Sequence, residues 1–252
     1  MSLSRSFDLV FTLTLKEIKV KYRSSALGYL WSLLYPLSLA LLFFFALRVV
    51  LKVQVEDFVV FLLSGLFAWQ WFANSLSAST VSIISNASLV KMVKFPYFVL
   101  PLSNVLNDCF HFIASLPVLF ALAIFHSKSP SIQWMAGSIL IFLQLMTTLG
   151  ISLVLASLNP FFRDLERLTQ IGLNIAFYAT PIIYPFEMIP EKLKFIFYFN
   201  PMLPVIEAWH RLILKSEIEL WLIGLSLIHS IFWLSVGFLI FSRFSKRFAE
   251  VL

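Results

Sequence analysis

Two ionisable side chains, Asp108 and His111, stand inside one long apolar run, three positions apart and so on one face of a helix. A carboxylate and an imidazole at that spacing can relay protons or line a polar pathway. They can also hydrogen-bond to each other while facing another helix, and that reading is favoured because no other apolar run carries a charged partner to complete a relay. An ion-coupled transporter or intramembrane enzyme built on this pair is the lesser alternative. No catalytic residue is assigned elsewhere. The seven glycines stand apart, and none opens the Gly-rich loop ending in Gly-Lys-Ser/Thr whose backbone amides wrap phosphates. The single Cys109 excludes an intramolecular disulfide and any Cys-rich metal site, so no metal is expected. If the chain performs active transport, its energy must come from another protein.

The stretch 84–96 has the pattern of a contact with such a protein. Ser85 or Asn86 can cap a short helix through residues 87–94, which Phe95-Pro96 terminates. Leu89, Met92 and Val93 share one face, Lys91 and Lys94 another. An apolar knob of this size suits a groove on a soluble partner, and a helix lying on the bilayer fits the same pattern. A second charged stretch runs from Asn159 to Arg167 and includes Arg163 and Asp164; alone it reads as a cytoplasmic turn. Trp69, Trp71, Phe72 and Ser75 mix rings with a hydroxyl, a surface suited to sliding sugar rings. Close helix packing explains the same residues equally well.

These groups need elements of membrane dimensions to hold them. Of 252 residues 60% are hydrophobic and 13% charged, with 28 Phe, and the mean hydropathy is +0.91. A soluble domain carries about 25% charged residues, so soluble enzymes and nucleic-acid-binding domains are excluded. Hydropathy places spans near 30–51, 58–82, 99–125, 134–158, 168–183 and 221–241. The fifth is short and ends at Pro181, so it is broken or only partly spanning. Between residues 184 and 220, four prolines and a Glu207/His210/Arg211 cluster predict two short interfacial helices. Before the first span, Leu3, Phe7, Val10, Phe11, Thr14 and Ile18 recur at helical spacing and predict an amphipathic interface helix.

Charge orients the spans. With the N-terminus cytoplasmic, twelve Lys and Arg fall inside and seven outside, while acids run five inside and seven outside. The net charge of +6 is thus topological. Attraction to anionic membrane lipids accounts for it, and no nucleic acid partner is needed. The predicted fold is an all-α membrane protein of six transmembrane helices with both termini cytoplasmic. Residues 1–29 form the amphipathic interface helix and 30–252 the membrane domain, with short external re-entrant or interfacial helices near 184–219.

KYRSSALGYLWSLLYPL from Lys21 to Leu37 resembles the start of the first span of type-2 ABC exporter permeases. SGLFAWQWFANSLSASTVSIISNASLVKMVKFPYFVLPLSNVL from Ser64 to Leu106 resembles the second span and coupling loop of the polysaccharide-export branch. The run from Asn159 to Leu214 is similar to that branch's fifth-span region and external helices, and the likeness covers nearly the whole chain. The O-antigen exporter permeases are the nearest in pattern, beside capsule and teichoic-acid permeases; an exporter of small lipids or drugs in the same architecture is the alternative. The resemblance implies a half-transporter of the bacterial inner membrane. A second copy pairs with it, two ABC ATPase subunits carry the ATP and Mg, and an undecaprenyl-pyrophosphate-linked polysaccharide passes between the copies. It further implies that Asn86, Leu89, Lys91, Met92, Val93 and Lys94 belong to the coupling helix, and that Arg163 and Asp164 brace the neighbouring turn. Lys16, Lys19, Lys21 and Arg23 would lie on a gate-like helix, where they can attract the pyrophosphate head.

Overall fold

The computed structural model describes residues 30–50, 52, 57–93, 95–128 and 130–252, with positions 12 and 14 besides. The amphipathic segment expected over 1–29, with Lys16, Lys19, Lys21 and Arg23, therefore lies outside the described residues, as does Lys94. Among the described residues there is no strand.

Helix α1 (Leu30–Phe43) runs directly into a π-helical stretch, Phe44–Val50. α2 (Phe58–Ser85) is the axis of the bundle, with apolar and small residues buried along its length and α1, α4, α5, α6 and α8 packed around it. After the short α3 (Ala87–Met92) come α4 (Val99–Phe125) and α5 (Gly137–Leu158), the latter preceded by a 3-10 turn at Ile132–Ala136. α6 (Leu165–Tyr178), α7 (Glu191–Phe197) and α8 (Leu203–Leu214) lead to the last long helix, α9 (Leu220–Phe244), and the terminal turn α10 (Phe248–Val251).

Among the described residues, four helical stretches are long and apolar enough to cross a membrane: Phe58–Ser85, Val99–Phe125, Ile132–Leu158 and Leu220–Val251. They coincide with the second, third, fourth and sixth predicted spans. The first predicted span is helical only as α1 and its π-helical continuation together. The fifth is short: the 14 residues of α6 rise about 21 Å, against a hydrocarbon thickness of about 30 Å.

Between residues 184 and 220 the two short helices differ in burial. α7 does carry an exposed apolar face, with Leu193, Phe195 and Ile196 open. α8, by contrast, is buried on nearly every side and inserts between α2, α5 and α9. Its apolar face, with Val205, Ile206, Trp209, Leu212 and Ile213, packs on the bundle, the opposite face of Glu207, His210 and Arg211 is met by other protein groups, and Pro204 at the start of the helix forfeits only an amide that would be unpaired there. Twelve residues are too few to span, and the charges of α8 are met by protein.

Hydroxyl and small side chains hold the long helices together. Ser230 Oγ on α9 donates to the Leu143 carbonyl of α5 at 2.8 Å and lies 3.0 Å from Thr147 Oγ1. In a bilayer, where lipid tails are as apolar as Leu, such close polar contacts and small-residue seams are what drive association. A second, separate core at the other end of the bundle joins α3 to the chain's C-terminus through Val90, Val99, Leu153, Phe241 and Phe248.

Candidate functional site

The first candidate surface is α3. Asn86 occupies the position before the helix, but it does not cap it: its side-chain amide turns back and donates to the Ser82 carbonyl at 2.8 Å, finishing α2. Ser85 likewise bonds backward, to Val81 O at 2.6 Å. The helix ends at Met92, and Val93 is already extended with φ −129°. Val90 is buried against the C-terminal core and the Tyr97 hydroxyl reaches its carbonyl at 3.4 Å. Leu89 is half-buried against that core. The exposed knob is thus Met92 and Val93, 78% and 49% exposed, with Lys91 beside them in the open. Arg163 and Asp164 are both exposed at the turn before α6, and Asp164 stands at that helix's start without a side-chain cap.

Trp69, Trp71, Phe72 and Ser75 do not face an open pathway. All four are buried within one copy. Trp71 donates its indole N–H to Val105 O of α4 at 3.2 Å and stacks on Phe112. Ser75 Oγ donates to Asp108 Oδ2 at 3.2 Å, and Asn107 Nδ2 to Oδ1 at 3.3 Å. Asp108 is therefore a carboxylate bonded across the α2–α4 packing, and His111 is buried in the same helix. The helical period explains the displacement, because Trp69, Phe72, Leu76 and Ile83 lie on the α2 face that packs, and residues one or two positions along lie on another.

That other face is polar. Asn74 is exposed, with Gln70 and Ser77 half-exposed, at i, i+4 and i+7 of α2. On α6, Gln170, Asn174 and Tyr178 are exposed at i, i+4 and i+8. Trp69 meets Phe177 edge-on at 5.9 Å, which brings the two rows to overlapping depth. An amide facing hydrocarbon costs several kcal/mol, so two such rows mark a surface turned away from lipid. Three polar side chains recurring at helical spacing in α2 were the available signal.

At the end of the bundle away from α3, charged side chains converge under α8. Arg211 reaches three carboxylates: Glu207 at 2.8 Å through Nε, Glu187 at 3.3 Å, and Glu219. Glu219 also accepts from the Trp221 indole. One guanidinium thus ties α8 to the chain on both sides of it, using the planar fork that Lys lacks. Burial acts to raise the Glu207 pKa, but His210 and Arg211 outweigh it and hold the carboxyl below its usual range. Near the start of α2, Asp57 accepts from Lys128 at 2.8 Å and lies 3.2 Å from His126 Nδ1. The Lys128 hydrogen bond keeps the Asp57 pKa low against a smaller opposing effect of burial. Among the described residues no group of three or more His, Cys, Asp and Glu is placed to hold a metal.

Residues 8–214 match the family described as ABC-2 type transporter. The chain belongs to that family. This ABC-2 type transporter chain is 41% identical over 247 residues to an O-antigen export system permease protein, RfbA, of Klebsiella pneumoniae, covering 98% of this chain and 95% of the relative. It is 29% identical to the Myxococcus xanthus protein of the same name, over 83% of this chain and 82% of the relative. A polysialic acid transport protein, KpsM, of Escherichia coli is 27% identical over 83% of each. Membership together with four apolar helices of spanning length makes the ABC-2 chain a multi-pass membrane protein.

Proposed function

We propose that this chain is the permease subunit of an ATP-driven exporter carrying a lipid-linked, O-antigen-like polysaccharide across the bacterial inner membrane. The observation that carries the reading is the 41% identity to an O-antigen export permease over 98% of the chain. The weaker likeness to a polysialic acid transport protein, at 27%, makes capsule export the second reading. In the proposed assembly two copies pair, with six spans each and both termini cytoplasmic, over two ATPase subunits that bind ATP and Mg.

α3 supplies the contact with the ATPase. Met92 and Val93 form the apolar knob, Lys91 and Lys94 its basic margin, and Leu89 and Val90 root it on the C-terminal core. Arg163 and Asp164 brace the adjacent turn. Closure of the ATPases displaces α3, and with it α2 and α4, which it joins. The amide rows of α2 and α6 offer the glycan many weak hydrogen bonds and no deep site, which favours sliding over capture. Lys16, Lys19, Lys21 and Arg23 gather the pyrophosphate head at the cytoplasmic margin.

The test is a complex reconstituted with its ATPase and a lipid-linked glycan, carrying Met92→Asp and Val93→Asp together. Glycan-stimulated ATP hydrolysis should fall to the basal level while the permease remains folded. Normal stimulation and docking in this variant would sink the reading.

A further inference from the structure

A cavity of about 200 Å³ opens beneath α8, bounded by the start of α2, the turn after α4 and the segment before α7. Three cations line it, Lys128, Arg211 and Lys215, against three carboxylates, Asp57, Glu187 and Glu207. This balance favours neither an anion nor a cation. It does favour a neutral ligand rich in hydroxyls, since carboxylates accept from hydroxyl groups and ammonium and guanidinium groups donate to them. Phe61, Pro185 and Leu214 add apolar surface to the same wall, of the kind that packs on the C–H face of a sugar ring.

His210 shows that the site is built. It is 3% exposed, and neither ring nitrogen has a hydrogen-bond partner. Nδ1 lies 3.9 Å from Glu207 Oε2, beyond hydrogen-bond reach. Its ring centroid lies 4.0 Å from that of Phe61, the two planes tilted by 32°. Room for the imidazole is made by Gly65, where a Cβ would stand 2.8 Å from Nε2. A buried imidazole with unmatched nitrogens, lining this cavity beside the Glu207 carboxylate, calls for a polar occupant.

We infer that this cavity binds one neutral sugar unit of the exported glycan on the outer side of the membrane; the inference rests on the function proposed above. Such a contact holds emerged chain and biases movement outward.

The test uses the complete transporter in nanodiscs and saturation-transfer NMR with free neutral hexoses and N-acetylhexosamines. At least one sugar should show saturation of its ring protons, with affinity weakened about tenfold or more by Glu207→Gln and by the exposed-rim variant Lys215→Met. If no neutral sugar binds, if both variants bind as the wild type does, or if inorganic phosphate displaces the sugar at equal concentration, the inference is overturned. Export by the wild-type complex separates the two claims. Export without sugar binding removes the cavity alone, whereas failure to move any polysaccharide removes the function on which it rests.

Discussion

Gly150 and Gly237 bring α5 and α9 into backbone contact: a Cβ on Gly237 would stand 2.3 Å from the Gly150 carbonyl oxygen. The reverse holds too, with a Cβ on Gly150 falling 2.3 Å from the Trp233 carbonyl carbon. Backbone cannot swing aside as a side chain can, so either substitution forces the helices apart. Gly237→Leu or Gly150→Leu should cost about 1–3 kcal/mol or more and lower the thermal midpoint in detergent. Gly224→Leu is the control, since nothing lies within 4 Å of a Cβ there. Equal midpoints for Gly237→Leu and Gly224→Leu would remove the contact from the account.

Trp71 is a packing residue, and its variants should show it. Trp71→Ala removes a fully enclosed side chain and the indole bond to Val105 O, at an expected cost of about 3–5 kcal/mol. Trp71→Phe keeps most of the volume and loses the bond, at about 1 kcal/mol. Both should lower the unfolding midpoint, while glycan affinity of the folded Phe variant stays unchanged. A Phe variant with native stability and impaired glycan binding would return Trp71 to the pathway.

The same helix shows what could be read in advance and what could not. Length and hydropathy located α2, α4, α5 and α9, because an apolar run of membrane length has few alternatives in water or lipid. Proline and charge marked α8 as non-spanning, yet its burial depended on neighbours far away in sequence. Glu207 and Arg211 look too polar to insert until Glu187 and Glu219 are seen to join them. Which face of α2 packs was likewise set by α4 and α8, through Trp71 and Val105 or Phe61 and His210. At α3 the knob at Met92 and Val93 was legible, whereas Leu89 turned inward because the C-terminal core, with Phe248, lies beneath it.

If the amide rows carry the glycan, Asn74→Leu and Asn174→Leu should fold and bind the ATPase as before. Each loses a hydrogen-bonding side chain worth about 1 kcal/mol, so the double variant should export roughly tenfold more slowly. Surface glycan accumulation in cells checks this, with basal ATP hydrolysis as the folding control. Unchanged export from the double variant would exclude this surface.

Asp57 links the start of α2 to the turn after α4, and its contribution should vary with pH in a set direction. Lys128 and His126 lower its pKa in the folded protein. A carboxyl depressed on folding contributes stability above its unfolded value, and that contribution is lost as pH falls through the folded value. Asp57→Asn removes the charge while tolerating the left-handed backbone at φ 46°. The wild type should therefore unfold at a higher temperature than Asp57→Asn from about pH 5 to 8. The gap should narrow below about pH 4, where carboxylates take up protons. Thermal midpoints measured across this range test the sign directly: a gap that widened on acidification would mean that the ion pair with Lys128 does not hold the two ends together.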